Sequence, residues 1–78
     1  DEALNFEESI QQEQWNLDVQ MAVGKLPLDQ QEVIKLRMTS GLSFKEIALE
    51  TGVGINTALG RMRYALMNLR RILEIESQ

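Results

Sequence analysis

No cysteine and no histidine occur among the 78 residues. The first absence removes disulfides, thiolate metal ligands and cysteine nucleophiles together. The second removes the commonest general base and the commonest ligand of transition metals. The acidic residues form no recognisable catalytic pair, and no nucleophile–base set can be assembled, so an enzyme is not expected. Nothing suggests a cofactor or a metal. No apolar run approaches the roughly 20 residues a membrane span needs. The N-terminus, with Asp1, Glu2, Glu7 and Glu8, is the opposite of a basic signal region, so a cytoplasmic protein without membrane contact is expected. The single proline, Pro27, leaves long stretches open to helix.

What is present is an apolar content of 44%, enough for a folded domain rather than a disordered tail. The length fits one domain, near the lower limit for a self-sufficient core. The chain does not begin with Met, which fits a segment of something longer. The net charge of −4 hides a gradient. Residues 1–26 hold six acids against one base, whereas residues 55–73 hold four arginines (Arg61, Arg63, Arg70, Arg71) and no acid. Screening limits the influence of a distant charge to about 10 Å at moderate salt, so DNA would respond to the local basic helix and not to the average.

The pattern predicts an all-α domain of four helices without strands, repeats or a wing. Residues 1–8 read as an extension. The first helix is expected over 9–25, with Ser9 and Gln12 at capping-box spacing and Pro27 ending it. The second is expected over 28–39, with Asp29 in its first turn, Val33, Leu36 and Ile34 facing inward, and Gly41 stopping it. The third occupies 43–51, opened by the capping box Ser43-Phe44-Lys45-Glu46 and closed by Gly52. The fourth is expected over 55–74. Its apolar set, Ile55, Ala58, Leu59, Met62, Ala65, Leu66, Leu69, Ile72 and Leu73, recurs every three or four positions. At about 100° per residue, Asn56, Thr57, Gly60, Tyr64, Asn68 and Arg71 share the opposite face, flanked by Arg61 and Arg63.

A short helix, a glycine turn and a longer helix make a helix-turn-helix. Ala48 supplies the small residue wanted where the helices cross, Gly52 tolerates positive φ, and Val53 and then Ile55 plug the gap. The outer face of the long helix is then free to enter a major groove. Arg61 and Arg63 read as phosphate or guanine contacts, or as solvated charges. Asn56 and Thr57 fit a DNA contact or first-turn capping equally well. Gly60, a mid-helix glycine on the exposed face, would let the backbone approach the groove. Tyr64 and Lys45 are further contact candidates, the latter against a plain solvated lysine. The first helix carries two apolar stripes: Phe6, Ile10, Leu17 and Met21 on one side, Trp15, Val19, Ala22 and Leu26 on the other. One must be buried. Trp15, Val19 and Ala22 are the candidates for partner docking.

The combination of Leu26-Pro27, Glu32-Val33, Leu36-Arg37, Gly41-Leu42-Ser43-Phe44-Lys45-Glu46-Ile47-Ala48, Gly52-Val53, Thr57, Arg61-Met62-Arg63, Ala65 and Leu69-Arg70 resembles region four of bacterial RNA polymerase sigma factors. Within the sigma-70 family the extracytoplasmic-function group is the most similar. The resemblance covers about residues 26–73, and Thr57 with Arg61, Met62 and Ala65 is its most specific part. It implies a compact helical domain that reads the promoter −35 element and touches the β flap of core RNA polymerase, with an anti-sigma factor as a further partner. It also places Thr57, Arg61 and Arg63 against DNA and Lys45 beside a phosphate. Departures are Gln31, Tyr64 and Leu66 where arginine is common, and Leu59 where lysine is frequent. Response-regulator output domains share the Gly-Leu-Ser-x-x-Glu-Ile-Ala stretch. A helix-turn-helix scaffold used only for protein interaction is the third reading.

Overall fold

The computed structural model describes residues 16–76, which form four helices and no strand: α1 (Leu17–Val23), α2 (Leu28–Met38), α3 (Phe44–Thr51) and α4 (Ile55–Glu76). The Ser9–Gln12 cap, the 1–8 extension and Trp15 lie outside the described residues. Within them, α1 opens at Asn16, whose side-chain oxygen accepts the Val19 N–H at 2.9 Å. It stops at Val23, two residues short of the expected end. Gly24, Lys25 and Leu26 then bond back to Gln20, Ala22 and Val23 in tight turns. Pro27 does not end this helix. It stands at the N-cap of α2, where its missing N–H costs nothing, and its carbonyl accepts the N–H groups of Gln30 and Gln31.

The link from α2 to α3 is held from several sides. Gly41 takes φ +70°, as the sequence leads one to expect, and the Leu42 N–H returns to the Leu36 carbonyl. Arg37 donates to the Leu42 carbonyl at 3.0 Å while its guanidinium lies 4.6 Å from the Phe44 ring centroid. The capping box forms as expected: Ser43 Oγ accepts the Glu46 N–H, and Glu46 Oε1 accepts the Ser43 N–H. That backbone donor first, and the Ser43 side chain second, hold the Glu46 carboxyl below its ordinary pKa.

α4 is 22 residues long, about 33 Å at the usual rise, and it contacts each of the other helices. The core joins Val19, Ala22, Val23 and Leu26 to Val33 and Ile34 of α2, Ile47 and Ala48 of α3, and Ala58, Met62, Ala65, Leu66 and Leu69 of α4. Leu36, Val53, Ile72 and Leu73 pack at its edge. Ile55 and Leu59, expected inside, are exposed and sit toward the rim of the apolar arc. Leu66 is buried.

Ser43→Ala is expected to cost about 1 kcal/mol of stability, the usual worth of such a cap. Because the Glu46 pKa is depressed in the folded state, its contribution is present above the unfolded-state value and lost as pH falls through the folded one. Thermal melts across that acid range should therefore show a shallower loss for Glu46→Gln than for wild type. Superimposable acid limbs would exclude the capping carboxylate as a source of pH dependence.

Candidate nucleic-acid interface

The turn between α3 and α4 is three residues long, Gly52-Val53-Gly54, and its shape follows from one backbone dihedral. Gly52 adopts φ +72°, a left-handed conformation costly for any residue with a Cβ. Its N–H and that of Val53 both return to the Ala48 carbonyl, closing the C-terminus of α3. Thr51 Oγ1 donates to the Ile47 carbonyl at 2.8 Å. Val53 then packs against the core, but Ile55, its expected companion in the gap, does not. Ala48 and Ala58 are both buried, so small side chains line the region where the two helices meet.

Burial on α4 centres on Ala58, Met62, Ala65 and Leu69. At about 100° per residue, the direction opposite to these runs through Asn56, Gly60, Arg63, Tyr64, Met67 and Arg71. Asn56, Thr57, Arg63 and Arg71 are exposed, as is Tyr64 at 60%. Lys45 is exposed on α3. Gly60 is half-buried, yet a Cβ built on it would meet nothing within 4 Å, so packing within the domain does not require glycine there. Met67 belongs to this outward row although the sequence pattern did not single it out; its spacing of seven from Gly60 was the available signal.

Asn68, expected on the outer face, turns sideways instead, and Arg61, expected at its flank, turns toward α2. Asn68 is half-buried and donates to Gln30 Oε1 at 2.9 Å, while its own oxygen accepts from Arg71. Arg61, with 29% of its side chain exposed, reaches toward α2, its Nε 3.6 Å from Asp29 Oδ2. Further along, Arg70 pairs with Glu74 one turn on, and Lys25 pairs with Glu76, tying the end of α4 to the loop after α1.

The docking assignment on α1 needs correction. Val19 and Ala22 are core residues, as is Leu26, so these three positions face inward and offer no docking surface. The exposed apolar residues of α1 are instead Leu17 at 67% and Met21 at 60%. A helix of this amphipathicity buries whichever side matches the groove between its neighbours, and the pattern alone is symmetric on that point.

Among the described residues there is no group of three or more potential metal ligands, and no helix is long and apolar enough to cross a membrane. A capped short helix, a left-handed glycine turn and a long helix whose outward face carries no acid from Ile55 to Leu73 define a helix-turn-helix of the DNA-binding class. Residues 16–73 match the family model described as Sigma-70, region 4. The match spans most of the chain, and the protein belongs to that family. Its fold is accordingly that of a sigma-factor DNA-binding domain, a non-catalytic module, and the sigma reading prevails over the response-regulator one. No curated protein and no solved structure matches the chain.

Since nothing within the domain occupies the space beside Gly60, Gly60→Ala should raise the unfolding free energy by about 1 kcal/mol. The same methyl should weaken DNA binding if the backbone approaches a groove there. Paired calorimetry and binding titrations would show it; a variant that is more stable and binds DNA at full strength would remove Gly60 from the interface.

Proposed function

We propose that this chain is the promoter-reading module of a sigma factor of the extracytoplasmic-function group. In this reading α4 lies in the major groove of the −35 element while core RNA polymerase holds the domain through the β flap. Membership of the region 4 family supports it, and the outward side of α4, acid-free from Ile55 to Leu73, is the observation that carries it. A helix side that carries no carboxylate of its own meets phosphates without that repulsion, and between Ile55 and Leu73 none is present.

Roles on that side follow from position. The first turn of α4, with Asn56 and Thr57 beside its unpaired backbone N–H groups, suits a phosphate at the groove edge. Gly60 marks the closest backbone approach. Tyr64, one turn further on, presents a ring and a hydroxyl to a sugar or base. Arg63 at the rim, and Lys45 from α3, supply charge to the flanking backbones. Arg61 reaches bases from the α2 side. Leu17 and Met21, in place of Val19 and Ala22, form the surface for the polymerase flap or for an anti-sigma factor that competes with it.

Footprinting of holoenzyme reconstituted with this chain should protect the −35 region of its promoters. Protection there must disappear with a core enzyme lacking the chain. As a rim phosphate contact, Arg63 contributes about one released counterion. Arg63→Ala should therefore lower the slope of log K against log salt by about 0.9 with little change in base preference. A loss of preference at a single base pair, worth about 1–3 kcal/mol, would instead make Arg63 a base reader. Binding with no salt dependence at all would leave only the protein-interaction scaffold.

A further inference from the structure

Arg61 is held by a carboxylate that lies 32 positions earlier in the chain. Asp29 sits in the first turn of α2, where its Oδ1 accepts the Gln30 N–H at 2.9 Å and its Oδ2 faces Arg61 Nε at 3.6 Å. The carboxylate is thus anchored by its own helix and half open to solvent, with 53% of the side chain exposed. As a contribution to stability such a pair is minor, about 0–1 kcal/mol. Its weight lies elsewhere, because it places a fixed negative charge beside the helix that faces DNA.

Resting on the reading that α4 meets DNA, we propose that Asp29 is a specificity-determining residue of the interface: it withholds Arg61 from the phosphates of non-cognate duplex. The magnitudes support this. Exchanging an exposed carboxylate for an exposed phosphate trades one screened ion pair for another and gains little. A guanine O6/N7 edge offers about 1–3 kcal/mol. That contact uses the terminal nitrogens of the guanidinium, and the pair with Asp29 engages the Nε side, so a base contact does not require the pair to break. Asp29 therefore removes one charge from sequence-independent binding while leaving the base-reading end of Arg61 oriented. Asp29 acts only through Arg61 and is a positioning residue.

The test is a fluorescence anisotropy titration of the full 78-residue chain against a labelled mixed-sequence duplex over a range of salt. Asp29→Asn keeps an oxygen for the Gln30 N–H, and thermal melts establish that it folds. It should bind this duplex more tightly, with a salt slope steeper by about 0.9, the release of one further counterion. Asp29→Glu, which retains the charge, should restore the wild-type slope. In an Arg61→Ala background, Asp29→Asn should leave the slope unchanged. An unaltered slope in the single variant would overturn the proposal, as would equal steepening without Arg61. Absence of salt-dependent binding by the wild type and by every variant would instead sink the DNA reading itself, and this proposal with it.

Discussion

The left-handed turn at Gly52 is the constraint from which the remainder of this domain follows. It lets the chain leave α3 and re-enter helix within three residues, with both freed N–H groups satisfied by one carbonyl. A turn that tight fixes the direction of α4 relative to α3 and brings Ala48 and Ala58 into one cluster. Once that direction is set, the rotation of α4 about its own axis decides everything else. Ala58, Met62, Ala65 and Leu69 must face inward, and the acid-free row through Gly60 and Tyr64 must face out. A Cβ at position 52 would strain the dihedral on which this arrangement rests.

Electrostatics refine what packing sets. Four arginines on one helix suggest a uniformly cationic surface, but the structure differentiates them. Arg61 has Asp29 beside it, Arg70 has Glu74, and Arg71 leans on the neutral amide of Asn68. The field that a phosphate would meet is therefore narrower than a count of charges implies. That is how a chain with a net charge of −4 carries a helix suited to DNA.

Much of this was legible in the residues. The capping box at Ser43 and Glu46, the positive φ of Gly41 and Gly52, and the order of four helices all appear where local chemistry puts them, because each depends on neighbours within four positions. The family was legible too, through the resemblance carried by the run from Leu26 to Arg70. Less visible was anything that depended on tertiary geometry. Ile55 and Leu59 satisfy the helical period yet fall on the rim of the apolar arc. Pro27 opens α2 instead of closing α1. The two stripes of α1 were equivalent in pattern, and only the groove presented by the other helices chooses Val19 and Ala22 over Leu17 and Met21. The pairs Asp29–Arg61 and Gln30–Asn68 link residues more than 30 positions apart, and no local rule signals them.

α4 serves at once as the spine against which the other three helices pack and as the surface presented to a partner. Substitutions on its outward row leave the core untouched, so they carry little thermodynamic cost. Insertions and deletions behave oppositely. Losing one residue near the middle rotates the remainder of the helix by about 100°, turning Met62, Leu66 and Leu69 away from the interior and swinging polar groups into it. The outward row is therefore free in letters, while the helix as a whole is locked in length.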